Sequence, residues 1–273
     1  MKEPLWKPSA ERIKNANMTK FMAFVNKRYN KQFTTYFELY DWSVANITDL
    51  WAAVWDFLEI KASKKYERVV DDLGKFPGAQ WFVGAEMNFA ENLLRYRDDK
   101  TAFVFKCETK PSVSITYKEL YRTVARLAGV LRTEGVTRED RVVAYMPNMS
   151  ETAVAMLAAT SVGATWASCG SELGVQAVID RFSQIAPKVL FVVDGYLYKN
   201  KPFHMLSDVR TVVEAVPSIE RVVIVPYVSE KPDISVVPKA VLYTDLLSRG
   251  TEGEILFEQV PANHPVYIMF SSG

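Results

Sequence analysis

The run Val266-Tyr267-Ile268-Met269-Phe270-Ser271-Ser272-Gly273 joins an apolar stretch to two hydroxyls and a glycine. A phosphate is held by closely approaching backbone N–H groups and by hydroxyl donors. A residue without a Cβ lets the backbone reach the anion or take positive φ. The apolar stretch reads as a buried strand and Ser271-Ser272-Gly273 as the opening of a phosphate loop; an ordinary turn is the competing reading of the tripeptide alone. Lys199 and Lys201 lie in a second polar segment, Tyr198-Lys199-Asn200-Lys201-Pro202, which reads as a loop. Two lysines there could hold an anionic group or simply face solvent. Asp180-Arg181 reads either as a functional pair or as an exposed helical ion pair or dipole partner. Cys169 has no basic flank, so it reads as a small buried residue rather than a nucleophile. No G-x-G-x-x-G, no G-x-x-x-x-G-K-[ST] and no G-x-S-x-G occurs, so dinucleotide, Walker-type and hydrolase-elbow chemistries have no anchor.

The elements that must position these groups follow from periodicity. Up to about Arg97 the chain is aromatic-rich, with Trp6, Trp42, Trp51 and Trp55 among its six tryptophans. Trp42, Leu50, Trp51, Val54, Trp55 and Leu58 recur at three- and four-residue spacing and are expected on one helical face, capped by Ser43 or Asn46. Asn88, with Glu91 three residues on, opens a short helix. From about Thr101 strands and helices alternate. A hairpin forms around Lys110-Pro111. Thr116 and Glu119 box the start of a helix that buries Leu120, Val124, Leu127, Ala128 and Leu131. Strands follow at 141–146, 165–168, 189–193 and 222–225, with helices from Asn148–Glu151 to about Val162, at 175–185 and at 204–216. Continuous apolar strands separated by helices imply an α/β fold with a mostly parallel, layered sheet, whose ligands bind beyond the strand carboxyl ends.

Composition excludes several classes. With 33 basic against 32 acidic residues among 273, there is no electrostatic case for nucleic acid. Two cysteines, Cys107 and Cys169, make no disulfide framework and suggest a reducing, cytoplasmic setting. Two histidines without a thiol or carboxylate cluster argue against a His-based metal site. No apolar leader follows Met1. The uncharged stretch Thr152–Ser171 is rich in Ala, Thr, Ser and Gly, too weakly apolar for membrane insertion, and reads as a buried helix followed by a buried strand.

Taken in order, several segments resemble the adenylate-forming acyl-CoA synthetases, most closely their acetoacetyl-CoA synthetase branch. Pro4-Leu5-Trp6-Lys7-Pro8-Ser9 is similar to the opening of that branch. Trp81-Phe82-Val83-Gly84 with Met87 through Leu94 resembles W-F-x-G-x-x-x-N-x-x-E-N-L-L. Asp140 through Asn148 resembles D-R-V-x-x-Y-x-P-N. Asp180 through Lys188 resembles D-R-F-x-Q-I-x-P-K, and Phe270-Ser271-Ser272-Gly273 the start of F-S-S-G-T-T-G-x-P-K. The resemblance implies residues 1–97 as an acetyl-CoA-synthetase-like N-terminal helical region and 98–273 as the first part of an AMP-binding domain. It implies ATP, Mg²⁺ and coenzyme A as cofactors and acetoacetate as substrate. Ser271, Ser272 and Gly273 would grip the ATP phosphates, Lys201 or Lys199 would meet the CoA phosphate, and Trp166, Gly170 and Ser171 would line the acyl and pantetheine channel. Two departures bear on this: Gly170-Ser171-Glu172-Leu173-Gly174 replaces S-P-D-F-G, and Asn200 replaces a glycine. The superfamily's adenine segment, metal-ligating glutamate and catalytic lysine have no counterpart here, so the chain alone is expected to be inert. A short non-catalytic isoform or interaction module, or a sister ligase for acetate or propionate, is the alternative.

Overall fold

A computed structural model describes residues 5–107 and 110–271; Ser272 and Gly273, two of the expected phosphate-loop residues, lie outside the described residues. The chain divides into two compact units, Met1–Ala85 and Glu86–Gly273.

The first unit holds α1 (Ala10–Asn15), α2 (Asn17–Tyr29), α3 (Tyr36–Ala45), α4 (Ile47–Phe57) and an antiparallel pair, β1 (Arg68–Val70) and β2 (Trp81–Val83). A capping box starts α3. Thr35 Oγ1 accepts the Glu38 N–H at 3.3 Å, and the Glu38 carboxylate accepts the Thr34 and Thr35 N–H groups at 2.7 and 2.8 Å. Those backbone donors hold the Glu38 carboxyl down at about 2. The expected single aromatic face is split between two helices, because the helix breaks at Asn46 (φ −129°, ψ 54°). The Asn46 amide donates back to Trp42 O at 2.9 Å, the local side-chain-to-backbone competition that disfavours Asn inside helices. Ser43 donates to Tyr40 O and caps nothing. Trp42 therefore joins Phe21, Val25, Leu39 and Ala53 in one small core, while Trp55 packs on Tyr66 and Phe82, and Trp51 and Leu58 stay exposed.

The second unit begins with β3 (Glu86–Met87), α5 (Phe89–Leu93), the hairpin β4 (Thr101–Phe105) and β5 (Val113–Thr116), and α6 (Tyr117–Thr133). The Thr116–Glu119 capping box is complete, and all five residues expected on the buried face of α6 are buried. There follow β6 (Arg141–Tyr145), α7 (Ser150–Ser161), β7 (Thr165–Cys169), α8 (Val175–Ile185), β8 (Val189–Val193), β9 (Gly195–Tyr198), β10 (Lys201–His204), α9 (Leu206–Ala215), β11 (Arg221–Val225), β12 (Ala240–Leu242), α10 (Tyr243–Ser248) and β13 (Val260–Pro261). Five strands form one parallel sheet in the order β12-β11-β8-β6-β7. The expected α/β fold with a layered parallel sheet is borne out.

Stepping from β6 out to β7 and back past β6 to β8 reverses the winding direction. Right-handed crossovers then place α7 and α8 on opposite faces; α6 packs with α7 and α10, and α8 with α9. Both faces are thus covered, which explains why β8 is buried at every position. The uncharged stretch resolves into α7 and β7, and no helix among the described residues is long and apolar enough to cross a membrane.

Asn88 fastens this unit. It is 1% exposed. Its Oδ1 accepts the Glu91 N–H at 3.1 Å as the α5 cap, and its amide donates to Thr160 O, Ser161 O and Glu258 O at 2.9, 3.2 and 2.8 Å. The Glu91 carboxylate, expected to complete a capping box, accepts the Gln259 amide at 2.9 Å.

Three further expectations need correction. Asn148 does not cap α7: the N-cap is Met149, without a side-chain bond. The lysine segment is not an open loop but the two-residue turn of the β9–β10 hairpin, so α9 starts at Leu206 rather than His204. Finally, Val266–Phe270 is not a buried strand. It touches the sheet through a parallel bridge from Tyr267 to Trp166, flanked by bonds from Trp166 N–H to Val266 O (2.9 Å) and from Ile268 N–H to Trp166 O (2.8 Å). Exposed and half-buried residues alternate along it, and Met269 is 87% exposed. The segment lies at the sheet margin beyond β7, where one side of each residue faces the sheet and the other meets water.

Candidate functional site

Four segments emerge at the carboxyl ends of the strands, where an open α/β sheet offers its ligand crevice. They are Met146–Asn148 after β6, Gly170–Gly174 after β7, the β9–β10 hairpin after β8, and Phe270–Ser271 at the margin. Backbone pairing delivers Ser271 there: the Tyr267 bridge fixes the segment in register with Trp166, and Ser271, exposed, follows four residues on.

Period-two alternation along β7 puts Trp166 and Ser168 on one face. Trp166 is buried and Ser168 exposed, and both line a cleft of about 510 Å³ with Asn148, Thr152, Met156 and Phe270. Its lining is largely apolar and aromatic, with the Asn148 amide and the hydroxyl-bearing Thr152, Ser168 and Tyr267 as polar groups, which suits a small ligand with an apolar body. Trp166 was expected here from the sequence. Ser168 and Asn148 belong to loops that the sequence places at the strand ends, but neither was assigned a role there.

Beyond β7, Ser171 is buried and Gly170 half-buried. A Cβ on Gly170 would lie 2.5 Å from both Glu172 carboxylate oxygens, so the side chain that departs from the family pattern occupies the space a larger residue would need. Cys169 is buried and free. Burial pushes its thiol up, the Arg181 guanidinium opposes this, and the Glu172 carboxylate adds to it. A thiol held protonated is a poor nucleophile, in line with the sequence reading. Asp180 and Arg181 form no ion pair with each other among the described residues. Asp180 accepts the Gln176 amide, while Arg181 donates to Ala177 O at 2.8 Å and stands 5.9 Å from the Phe270 ring centroid.

Lys199 and Lys201 sit at the tip of the hairpin and are exposed. Lys199 and Asn200 form its two-residue turn with φ of 50° and 61°. Two-residue hairpin turns that match strand twist need such positive φ, which Asn and Gly tolerate best. Asn200 thus stands where glycine is the other natural choice. The hairpin base is fixed by Asp194, 2% exposed, whose carboxylate accepts the Tyr227, Val228 and Ser229 N–H groups at 2.6, 3.0 and 2.8 Å. The sequence places Asp194-Gly195 at a strand end but not the anchoring role of Asp194, since its partners are 33 to 35 residues away.

The structure gathers Trp166, Gly170, Ser171 and Ser271 at the β7 side of the sheet. It does not bring the lysines to them: β8, β6, β7 and the margin segment are consecutive neighbours, so the hairpin rises from a strand about 10 Å from β7 and about 14 Å from the margin segment across the sheet. A ligand meeting both must be long. Among the described residues no group of three His, Cys, Asp or Glu could hold a metal ion.

A parallel sheet covered on both faces, with its crevice at the strand carboxyl ends, defines an open α/β protein. The chain belongs to the AMP-binding enzyme family, whose profile matches residues 89–273; residues 36–93 match the acetyl-coenzyme A synthetase N-terminus. It is 41% identical to an acetoacetyl-CoA synthetase of Macaca fascicularis over 277 residues, covering 98% of this chain and 41% of the relative. It is 39% identical to an acetoacetyl-coenzyme A synthetase of Rhizobium meliloti, covering 99% of this chain and 41% of the relative. The solved structure of an acetoacetyl-CoA synthetase from Streptomyces lividans superposes with a TM-score of 0.91 at 37% identity, covering all of this chain and 42% of that one. The chain therefore spans about two fifths of the length of the relatives it matches, and the resemblance read from its motifs is borne out.

Proposed function

We propose that the protein is an acid–thiol ligase that makes acetoacetyl-CoA from acetoacetate, ATP and coenzyme A through an acyl-adenylate. The observation that carries this is the delivery of Ser271, by backbone pairing of its segment to β7, to the strand ends beside the Trp166–Ser168 cleft. In the first step an oxygen of the acid attacks the α-phosphorus of ATP. The bond to the bridging oxygen breaks, and pyrophosphate leaves with the electron pair. Ser271, Ser272 and Gly273 supply hydroxyl and N–H donors to phosphate oxygens, the preorganised stabilisation that dominates such transfers. Mg²⁺, when bound, would neutralise phosphate charge; the described residues supply no ligand set for it. In the second step the CoA sulfur attacks the acyl carbonyl, its proton passes to solvent, and AMP leaves. Trp166, Gly170 and Ser171 line the way for the acyl and pantetheine groups, and Lys201, with Lys199 beside it, meets the CoA phosphate on a hairpin that rises two strands away, about 10 Å across the sheet, a separation that suits the extended cofactor. The reading places the protein in the cytosol.

The test is acid-dependent release of pyrophosphate by the protein as its own gene encodes it, with acetoacetate, acetate and propionate compared. Turnover fastest with acetoacetate supports the proposal. Preference for acetate or propionate replaces the substrate and keeps the chemistry, and no acid-dependent pyrophosphate release with any of the three removes the ligase reading.

A further inference from the structure

Tyr145 ends β6 and stands in register between Cys169 of β7 and Val192 of β8. Those two strands lead directly into the two pieces assigned to one ligand, the 170–174 loop and the hairpin that carries Lys199 and Lys201. The Tyr145 ring is 1% exposed, and its O–H donates to Leu173 O at 2.5 Å. Burial pushes the phenol up to about 12, and Asp208 of α9, Tyr196 of the hairpin, Cys169 and Glu172 are close enough to add to the shift. One hydroxyl thus bonds the 170–174 loop from a strand that lies between the strands leading into both pieces. The hairpin has its own anchor in Asp194, and Gly195 at its base has room for no side chain: a Cβ would lie 2.3 Å from Phe203 O. The loop's backbone bond, Leu173 N–H to Gly170 O at 3.1 Å, closes a turn without tying it to the sheet. The Tyr145 hydroxyl adds a directional bond from β6 to the loop, beside the packing of Leu173 on the core.

We propose that Tyr145 is a positioning residue which, through the Leu173 carbonyl, sets the spacing between Gly170–Ser171 and the lysine tip of the hairpin, and with it the fit of coenzyme A to both. The inference rests on the ligase reading and adds a residue to it. A ligand gripped at two distant points is sensitive to that spacing, because each misplaced contact is lost or must be restored by ordering the loop.

Tyr145→Phe keeps the ring and removes the hydroxyl. In the protein as its gene encodes it, Kd and KM for CoA should rise about fivefold, the equivalent of one neutral hydrogen bond of roughly 1 kcal/mol. KM for ATP and the rate of ATP–pyrophosphate exchange at saturating acid should stay within twofold, and KM for the acid, whose acyl group also passes Gly170–Ser171, should rise less than KM for CoA. Amide hydrogen exchange should quicken at 171–174 and stay slow in β6, which also shows that the variant is folded. Unchanged CoA affinity overturns the proposal. So does an equal loss for all three substrates and for pyrophosphate exchange, which marks general destabilisation. A wild-type protein that makes no acyl-CoA fails before any variant is measured, and then the ligase reading falls and takes this inference with it.

Discussion

Asn88→Asp is the sharpest test of how the second unit is held together. The side chain performs two jobs through two different atoms. Its Oδ1 caps α5, and its amide donates to the carbonyls of Thr160, Ser161 and Glu258. Two of those carbonyls keep another donor: Thr160 O accepts the Gly163 N–H at 3.1 Å and Ser161 O the Glu258 N–H at 2.9 Å. Asn88→Ala therefore loses a cap, worth about 1 kcal/mol, and deprives a part-buried Glu258 carbonyl of its donor at about 1–2 kcal/mol. The sum is about 2–3 kcal/mol. Asn88→Asp keeps the capping oxygen and the shape but turns a negative oxygen toward three carbonyls. It should cost at least as much as alanine at neutral pH. Part of the loss should return on acidification, because protonation restores a donor. The assay is denaturant-dependent hydrogen exchange at Val143 in β6, which reports opening of this unit. If Asn88→Asp stays within about 0.5 kcal/mol of wild type, Asn88 serves as a cap alone and the three-way clasp is refuted.

Other outcomes follow from single observations. Gly195→Ala should destabilise by more than about 2 kcal/mol, since its Cβ would meet Phe203 O at 2.3 Å and Val228 at 2.7 Å; a thermal midpoint equal to wild type would contradict the geometry. Lys199→Gly should stabilise the hairpin by about 0.5 kcal/mol, and Asn200→Val should cost about 1 kcal/mol or more, because both positions have positive φ; chemical denaturation reads the sign. Burial raises the Tyr145 phenol to about 12 and shifts Tyr243 upward as well. The unfolded chain therefore releases these protons near pH 10 while the native state keeps them. Stability should be flat through neutrality and fall above pH 10 by up to about 1.4 kcal/mol per unit for each tyrosine; a Tyr145→Phe protein should show a shallower fall in alkaline urea titrations. Cys169 should resist a thiol reagent at pH 8 in the native state and react at once in denaturant, as burial raises its thiol.

The elements were legible wherever local chemistry and periodicity agreed. The Thr116–Glu119 box and the apolar stripe of α6 depend on neighbours three and four residues away, and the structure keeps both. The limits of α8 and β8 could be read because continuous apolar strands and amphipathic helices alternate there without competing signals. Local reading failed where a contact from elsewhere decided the outcome. Asn148 has the chemistry of a cap, but the turn after β6 makes Met149 the cap residue and leaves Asn148 facing the cleft. The Lys199–Asn200 segment looked like a solvated loop, since its hairpin lacks the alternating apolar pattern by which strands announce themselves.

By itself, the order of short motifs and of apolar and amphipathic runs was enough to identify the family and the parallel sheet, because both are encoded in residues close together along the chain. The tertiary structure alone decided that Ser271 reaches the strand ends along a half-exposed margin, that Asp194 collects three distant N–H groups, and that the Tyr145 hydroxyl meets Leu173. Those are meetings between segments dozens of residues apart. No local propensity encodes them, and they exist only once the packed sheet has fixed which strand ends are neighbours.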